Sequence, residues 1–422
     1  MKCFINYPEN CDFPIQNLPY GVFSTKSNLN KRIGVAIGDK ILDLSLISHL
    51  FDGPVLRCRQ DVFKESTLNS FMALGLEAWK EARLKLQYLL SDERSNLIKD
   101  VDLFSKAIVL QSDSTMHLPA RIGDYSDFFN SLYHAVNCGK AFLGLKGDHL
   151  LPNWWETYAA CLSRTSKFYS RFWNANYTTI WSIFGGDAAV SSFGPCQCMD
   201  FEVELAFFIG GPPTQLGERI TMQETEKHIF GFVLLNDWSA RDIQKWESTP
   251  LGPFNSKNVG TSISPWVVTT LALEPFIVDN FVQNPVPPNY LQHHDNCNYD
   301  IKLQVDLIPE DSGVKSTICK TNYKYQYWSH KQTLVQHTVG GCNVNPGDLM
   351  AIGTISGPTP DSYGSIIELT EGTKKPVKLV DGGERLVLED GDTIILKGVC
   401  EGIGYNVGFG ECVGKLLPSK PY

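Results

Sequence analysis

Apolar and polar residues alternate in short runs near the beginning of the chain, and a turn signal divides two of these runs. Residues 32–45 read Arg-Ile-Gly-Val-Ala-Ile-Gly-Asp-Lys-Ile-Leu-Asp-Leu-Ser, with Gly38 and Asp39 at the centre. Glycine and aspartate adopt the backbone conformations that tight hairpin turns require. The pattern predicts a β-hairpin, so we expect the N-terminal part of the chain to begin with β structure.

The spacing of apolar residues becomes helical between residues 68 and 90. Six apolar side chains fall near one face of a helix drawn over this range: Leu68, Phe71, Trp79, Ala82, Leu86 and Leu89. The charged residues lie off that face, which is typical of a helix with one side packed against other structure. We predict a helix over residues 68–90 that packs on the N-terminal sheet.

Later in the chain, short apolar runs bounded by Gly, Pro, Asn and Asp predict strands. The predicted strands are Phe201–Ile209, Phe230–Leu235, Tyr299–Leu307, Asp348–Thr354, Ser365–Leu369 and Thr393–Val399. Polar sequence at residues 111–116, followed by Pro119, predicts a boundary between one domain at residues 1–118 and another at residues 119–422. The predicted fold class is mainly β within α+β, with a barrel or sandwich as the larger domain.

Length and charge narrow the class of protein. A chain of 422 residues exceeds the usual size of a single core, which favours two domains. With 46 acidic against 37 basic residues and a net charge of −9, it lacks the clustered Lys and Arg that bind phosphates, so we expect no nucleic-acid partner. It has neither an 18-residue apolar run nor a basic, apolar leader, so we expect no membrane partner and a cytoplasmic location.

The 12 cysteines are scattered along the chain. The closest pair, Cys196 and Cys198, has no second pair at the spacing of a zinc module. We therefore expect reduced thiols that mostly serve packing.

Two carboxylates lie two residues apart in a predicted strand. Glu202 and Glu204 occur in Asp-Phe-Glu-Val-Glu-Leu-Ala-Phe-Phe, and successive side chains of a strand point to opposite faces. Both carboxylates therefore point to the same face, which is half of a site for a hard cation. The alternative is a solvated strand face, which alternation alone also predicts.

A second group of polar residues follows the predicted strand that ends at Leu235. Asp237, Arg241 and Gln244 are spaced i, i+4 and i+7, which places all three on one face if they lie on a helix. A carboxylate suits a metal, whereas a guanidinium and an amide suit a substrate carboxylate. The alternative is a surface salt bridge between Asp237 and Arg241.

Weaker signals come from Asp-rich and Gly-rich segments. Asp124 and Asp127 precede His134, and a strand after residue 346 ends in Gly-Thr-Ile-Ser-Gly at residues 353–357, with Glu368 on the next predicted strand. Each segment by itself indicates only a turn or a loop.

The order of these motifs is similar to that of the fumarylacetoacetase family over nearly the whole chain. The shared segments are Asp-Phe-Pro-Ile-Gln-Asn-Leu-Pro-Tyr-Gly-Val-Phe-Ser-Thr, Asp-Tyr-x-Asp-Phe with a downstream His, Asp-Phe-Glu-x-Glu, Asn-Asp-Trp-Ser-Ala-Arg-Asp-Ile-Gln, Leu-Gly-Pro-Phe-x-x-Lys, Gly-Thr-x-Ile-Ser-Pro-Trp and Pro-Gly-Asp-Leu-x-x-x-Gly-Thr-Ile-Ser-Gly. The resemblance implies a small SH3-like N-terminal barrel and a larger mixed β-sandwich roll. It also implies a homodimer that uses Mg²⁺ or Ca²⁺ to hydrolyse a small diketo acid, 4-fumarylacetoacetate, to fumarate and acetoacetate in tyrosine and phenylalanine catabolism.

The resemblance further implies roles for individual residues. The residues that would hold the metal are Asp127, Glu202, Glu204 and Asp237, with Lys257, Gly260 and Thr261 in an adjoining Mg²⁺-associated motif. His134 would be the general base, oriented by Glu368. The residues expected to contact the substrate or its developing oxyanion are Arg241, Gln244, Lys257, Thr354 and Phe129. We expect the metal carboxylates to converge and His134 to lie within hydrogen-bond reach of Glu368.

The chain departs from the family pattern at several positions expected to contact substrate. Phe129 and Ser248 each replace a tyrosine, and Leu143 replaces an arginine, whose loss typically costs on the order of 1.5–3 kcal/mol of carboxylate binding.

The segment at residues 161–189 does not follow the family at all. Codons compatible with residues 161–182, read one nucleotide later, give Ala-Tyr-His-Gly-Arg-Ala-Ser-Ser-Ile-Leu-Gly-Ser-Gly-Thr-Pro-Ile-Thr-Arg-Pro-Tyr-Gly-Gln, which resembles the missing segment. The sequence therefore predicts two compensating frame shifts around this window, which we expect to be the least ordered part of the chain.

Two other interpretations remain open from the sequence. One is another activity of the wider superfamily, such as that of an acylpyruvate hydrolase, an isomerase or a decarboxylase. The other is a catalytically impaired paralogue that acts as a dimeric partner, which the changes at Phe129, Leu143 and Ser248 favour. Retention of the four carboxylates together with His134 and Glu368 favours an enzyme.

Overall fold

The structure is a mixed, strand-rich α+β protein, which confirms the predicted fold class. The computed structural model describes residues 2–142, 151, 155–157, 159–165, 169–170, 175–177, 180–183, 192–248 and 252–421, with the backbone alone at 142 and 161–183. Apolar side chains are buried in two large clusters, one beneath the N-terminal sheet and one within the larger C-terminal part. No helix among the described residues is both long and apolar enough to cross a membrane.

The N-terminal part is a curled antiparallel sheet with helices against it. Its strands are β1 (Tyr20–Thr25), β2 (Asn28–Ile37), β3 (Lys40–Asp43), β4 (Ile108–Leu110) and β5 (Ser114–His117), in the order β4-β3-β2-β1-β5. Its helices are α1 (Leu44–Ile47), α2 (Asn69–Ala73), α3 (Leu76–Ser91), α4 (Asn96–Lys99) and α5 (Val101–Ala107). The predicted hairpin is confirmed, because β2 and β3 pair across a turn in which Gly38 has a φ of +59°.

The helix predicted over residues 68–90 is interrupted. Gly75 has a φ of +82°, a left-handed conformation that ends α2 and precedes α3. The apolar face is nevertheless the predicted one, since Trp79, Ala82 and Leu86 of α3 are all buried. They pack in the cluster beneath the N-terminal sheet, as predicted.

The described residues of the larger part form two main sheets and several short strand pairs. The strands of its first sheet are β6 (Asp124–Phe128), β7 (Cys161–Thr165), β8 (Tyr169–Ser170), β13 (Val203–Ile209), β14 (Ile229–Asp237), β16 (Thr261–Ile263), β17 (Val268–Thr269) and β22 (Leu349–Ala351). The strands of its second sheet are β9 (Ala175–Tyr177), β20 (Lys302–Ile308), β21 (Ser316–Asn322), β25 (Thr393–Gly402) and β26 (Tyr405–Leu417). The short pairs are β10 (Ile180–Ile183) with β11 (Ser192–Pro195), β12 (Met199–Asp200) with β15 (Ser239–Ala240), β18 (Ile277–Val278) with β19 (Asn298–Tyr299), and β23 (Val377–Lys378) with β24 (Glu384–Arg385).

Helices of the larger part cover the sheets and carry several of the site residues. They are α6 (Leu132–Phe142), α7 (Arg241–Glu247), α8 (Thr270–Leu273), α9 (His330–Thr338) and α10 (Ile366–Leu369). The strand predicted at residues 365–369 is therefore wrong, because α10 occupies that segment. The strand predicted at residues 299–307 is divided between β19 and β20.

Both faces of β13 are buried, which determines the surroundings of its carboxylates. Val203, Leu205 and Phe207 belong to the C-terminal cluster, whereas Ala206 and Phe208 belong to the cluster beneath the N-terminal sheet. A strand between two cores leaves no solvated face. The alternative of a solvated Glu-x-Glu face is therefore wrong.

Candidate metal and hydrolase site

Three carboxylates from three strands converge at one place in the first sheet of the larger part. Asp127 lies on β6, Glu204 on β13 and Asp237 at the end of β14, and β22 joins β6 to β13. One oxygen from each lies within 4.8 Å of the other two, and all three residues are buried. Three buried carboxylates at this separation form a set of hard oxygen ligands.

Glu204 supplies an oxygen to this group that has no partner among the described residues. Oε2 of Glu204 is buried and accepts no hydrogen bond from any described residue. Burial first, and then the neighbouring charges of Asp127 and Asp237, raise the pKa of Glu204 well above its usual value. Buried carboxylates of this kind are stabilised by pairing with a cation or by coordinating a metal.

Glu202, the fourth predicted ligand, faces two cationic side chains instead of the group formed by Asp127, Glu204 and Asp237. Oε1 of Glu202 lies 2.8 Å from Nη2 of Arg241, and Oε2 accepts a hydrogen bond from Nζ of Lys257. Burial opposes ionisation of Glu202, but Lys257 and Arg241 lower its pKa well below the usual value. Its charge is therefore balanced by the protein.

Lys257 links this pair to the three converging carboxylates. Its Nζ also donates to Oδ2 of Asp237 at 2.5 Å. An ammonium group has no free electron pair, so Lys257 balances charge beside the carboxylates and is not itself a metal ligand in this state. Gly260 and Thr261 follow on the same segment, and Thr261 pairs with Asp237 between β16 and β14.

His134 and Glu368 form the predicted contact. Nδ1 of His134, on α6, lies 2.7 Å from Oε2 of Glu368, on α10, and both residues are buried. Three further side chains donate to the Glu368 carboxylate: Asn137, Ser356 and Ser365. The carboxylate is therefore held in one orientation, and it holds the imidazole in turn.

The second imidazole nitrogen faces the site. Nε2 of His134 lies 3.8 Å from Oε1 of Glu202 and 3.5 Å from Sγ of Cys138. Burial favours the neutral ring, but Cys138 and Glu368 raise the pKa of His134 well above its usual value. The ring of Phe129 meets the imidazole edge to face, with 5.2 Å between the ring centroids.

The predicted substrate residues Arg241 and Gln244 lie at the start of α7. Nη1 of Arg241 donates to Oε1 of Gln244 at 2.9 Å, and Nε of Arg241 donates to Oδ2 of Asp200 at 2.7 Å. The helical spacing predicted for Asp237 is wrong, because Asp237 ends β14 and β15 separates it from the helix. The alternative was a surface salt bridge between Asp237 and Arg241. Both residues are buried instead, and Asp237 pairs with Lys257 while Arg241 pairs with Asp200 and Glu202.

Thr354 lies in the loop after β22, and the backbone of that loop approaches β6. Gly353 has a φ of +75°, and a Cβ atom there would meet the carbonyl oxygen of Phe128. Thr354, the next residue, is buried. The loop that carries Thr354 therefore lies against the backbone of Phe128 and Phe129 at the end of β6.

Several residues that hold this site together were not predicted from the sequence. Asp200 stands in the quoted Asp-Phe-Glu-x-Glu motif, but its own contacts were not foreseen. Asn137 follows His134 by three residues on α6, so helical periodicity could have placed it beside the imidazole. Ser356 and Ser365 carried no signal apart from their polarity, since only the tertiary fold brings them to Glu368.

The structure describes only some of the positions at which the chain departs from the family pattern. Oγ of Ser248 donates to the carbonyl oxygen of Gln244 at 2.5 Å, so its hydroxyl serves the end of α7. Leu143 lies outside the described residues. The side chains of residues 161–189, including that of Cys161, also lie outside them, so the predicted frame-shifted window stays a prediction.

Comparisons with known proteins cover nearly all of the chain. Residues 16–119 match the family described as fumarylacetoacetase N-terminal, and residues 169–413 match the family described as fumarylacetoacetate hydrolase C-terminal. The chain is 52% identical over 420 residues to the fumarylacetoacetase of Caenorhabditis elegans, covering 99% of this chain and 100% of that protein. It is 50% identical over 420 residues to the fumarylacetoacetase of Homo sapiens, covering 99% of each.

A solved structure is similar in fold. It is a fumarylacetoacetate hydrolase from the psychrophilic Exiguobacterium antarcticum, with a TM-score of 0.51 and 16% sequence identity. The similarity covers 95% of this chain and 99% of that chain. At this level of identity the comparison supports the shared fold.

Proposed function

Because the chain belongs to the fumarylacetoacetase family, we propose that it hydrolyses a carbon–carbon bond of 4-fumarylacetoacetate to give fumarate and acetoacetate. The observation that carries the proposal is the buried pair of His134 and Glu368 beside the convergent carboxylates of Asp127, Glu204 and Asp237. A base next to a site for a hard cation suits hydrolysis of a diketo acid. The reaction would be the last step of tyrosine and phenylalanine catabolism.

The residues fit a divalent cation with a preference for oxygen ligands. Asp127, Glu204 and Asp237 would hold Mg²⁺ or Ca²⁺, and the unpartnered Oε2 of Glu204 supports this because a buried carboxylate oxygen needs a partner. Glu202 is a further ligand in this proposal if Lys257 withdraws from it. When bound, such a cation would stabilise negative charge that develops on the ketone oxygens of the substrate.

His134 would act as the general base that activates water. The hydrogen bond between Nδ1 and Glu368 orients the ring. The base is the neutral form of the ring, in which Nδ1 carries the proton that Glu368 accepts and Nε2 is the atom that would take the proton from water. Asn137 and Ser356 hold Glu368 and so preserve this orientation through the reaction. The carboxylate of Glu368 would also stabilise the imidazolium that forms.

Three other residues would hold the substrate. Arg241 and Gln244 start one helix and present a guanidinium and an amide, which suit a carboxylate group of the diketo acid. The hydroxyl of Thr354 would donate to a developing oxyanion. Phe129 packs against the imidazole and would shield that side of the ring from water.

The metal requirement is tested by measuring loss of fumarylacetoacetate in the presence of Mg²⁺, Ca²⁺ or excess chelator. We expect turnover with either cation and loss of turnover with chelator. Glu204→Gln should weaken cation binding, measured by titration calorimetry, because it removes one buried anionic ligand. Full turnover in chelator, or unchanged cation binding by Glu204→Gln, would contradict the proposed metal site.

The role of the base is tested by replacing His134. Removal of a general base typically lowers kcat by about 10²–10⁴-fold. We expect His134→Ala to lower kcat by a factor within this range or larger. Cation binding by the variant serves as its control, because the carboxylate site should remain. An active His134→Ala variant would rule out the proposed base.

We further propose that the protein is a cytoplasmic homodimer. Family membership supports the dimer, and sedimentation equilibrium of the purified chain would measure its mass in solution. A monomer at micromolar concentration would contradict the dimer.

A further inference from the structure

A buried carboxylate outside the proposed catalytic residues touches both halves of the site. Asp200 ends β12 and is fully buried. Its strand pairs with β15, the two residues that lead directly into Arg241. Its carboxylate therefore lies between the substrate side, at Arg241, and the base side, at α10.

On the substrate side, Asp200 holds the guanidinium in place. Oδ2 of Asp200 accepts from Nε of Arg241 at 2.7 Å, while Nη1 and Nη2 of Arg241 face Gln244 and Glu202. A guanidinium has a planar, rigid set of donors, so fixing Nε fixes the direction of the other nitrogens. Asp200 thus determines where Arg241 points.

On the base side, Asp200 holds the first turn of α10. Oδ1 accepts from the backbone N–H of Ile366 at 2.6 Å, and Oδ2 accepts from that of Ile367 at 3.2 Å. The first N–H groups of a helix have no partner within the helix, and Ser365 does not cap them because its hydroxyl donates to Glu368. Asp200 takes the place of that cap, and Glu368 is the next residue.

We propose that Asp200 is a positioning residue that couples the substrate-binding arginine to the orientation of the His134–Glu368 pair. This role deepens and rests on the proposed function, since it assigns Arg241 to substrate binding and Glu368 to the base. Asp200 itself contacts neither substrate nor base. It acts through Arg241 and α10.

Two variants separate the two sides. Asp200→Asn keeps the size of the side chain and one oxygen for Ile366. It turns an NH₂ group toward the donor Nε of Arg241 and also toward the more distant N–H of Ile367. Asp200→Ala removes the partners of Arg241 and of both α10 amides. We therefore expect Asp200→Asn to release mainly Arg241, and Asp200→Ala to release Arg241 and α10 together.

The kinetic experiment uses the full chain with saturating Mg²⁺. A hydrogen bond to a charged group is typically worth a factor of roughly 10 to 100, so KM for fumarylacetoacetate should rise about tenfold or more in Asp200→Asn, with a smaller fall in kcat. In Asp200→Ala, kcat should also fall, because Glu368 loses its fixed position. A merely structural role would lower the active fraction and leave KM unchanged.

The matched control is a second buried aspartate that pairs with an arginine. Asp392 accepts from Nε and Nη2 of Arg385 and from the backbone N–H of Glu389, outside the candidate site. Asp392→Asn should lower the thermal midpoint without changing KM. An unchanged KM in Asp200→Asn, or an equal rise in Asp392→Asn, would overturn the role of Asp200.

Hydrogen exchange tests the base side without depending on turnover. The amides of Ile366 and Ile367 should exchange faster in Asp200→Ala, while Ile366 should stay protected in Asp200→Asn. Equal protection in all three proteins would overturn the coupling to α10. Absence of turnover in the unmodified chain would instead contradict the proposed function, so the two failures are distinguishable.

Discussion

The pKa of a side chain in this protein depends on the residues that bury it, and His330 is an example. His330, at the start of α9, is buried against the ring of Tyr299, with 5.3 Å between the ring centroids, and its Nδ1 lies 3.1 Å from Oη of Tyr323. Burial, followed by the charges of Lys331 and His293, lowers the pKa of His330 to about 3, although Asp295 opposes this shift. A neutral imidazole is therefore part of the folded core.

This histidine predicts a dependence of stability on pH. Between pH 6.5 and pH 3 the unfolded chain binds a proton at His330 that the folded chain does not, so the free energy of unfolding falls as pH decreases through this range. One such proton corresponds to about 1.4 kcal/mol per pH unit. His330→Gln should reduce the slope, measured by urea unfolding at several pH values.

A control for this prediction comes from an exposed histidine. His294→Gln removes one imidazole from the surface. The slope of the free energy of unfolding against pH should then be the same as in the unmodified chain. Equal slopes for His330→Gln and the unmodified chain would show that the buried ring does not cause the effect.

At the scale of elements, one glycine allows the loop of Thr354 to lie against β6. Gly353 has a φ of +75°, and a Cβ atom there would collide with the carbonyl oxygen of Phe128. Gly353→Ala should therefore add backbone strain to a steric clash and lower the free energy of unfolding by about 1–3 kcal/mol or more. Turnover should fall with it, because the clash would displace the loop that carries Thr354.

The control separates strain from the clash. Gly382 has a similar φ of +89°, but nothing lies within 4 Å of the Cβ that a substitution would add. Gly382→Ala should cost only the conformational strain, measured as the shift of the urea midpoint. If both variants lose the same stability and activity, the approach of Gly353 to Phe128 does not matter.

Elements also differ in how far local sequence determines them. The hairpin of β2 and β3 depends on Gly38 and Asp39, which act within the turn itself, and the sequence predicted it correctly. The sequence predicted a strand at residues 365–369, but the carboxylate of Asp200 partners the first amides of α10 there. That partner lies more than 160 residues away along the chain, so no local pattern reveals it.

At the scale of the whole molecule, the window at residues 161–189 predicts a difference in activity. Replacing residues 161–182 by the sequence of the shifted reading should raise both the thermal midpoint and the turnover of fumarylacetoacetate. The reason is that the shifted reading resembles the family segment, whereas a segment with the wrong polarity pattern packs badly. Differential scanning fluorimetry and a steady-state assay would measure both effects.

The unmodified chain serves as the reference for this replacement. A corrected protein that folds, binds cation and still lacks turnover would support the impaired paralogue, with the changes at Phe129, Leu143 and Ser248 as its cause. A corrected protein that is no more stable than the unmodified chain would contradict the frame-shift interpretation.

The sequence by itself determined the fold class, the family and the residue types of the site. Alternation in a strand placed Glu202 and Glu204 on one face, and the order of the motifs assigned His134 to Glu368. These features are carried by local periodicity and by residue identity, which are present before the chain folds.

Only the tertiary structure decided how the charges of the site are shared. It brought Glu204 together with Asp127 and Asp237, and it turned Glu202 toward Arg241 and Lys257. The physical reason is that a buried charge must find its partner in space, and the partners here come from strands and helices far apart in the chain.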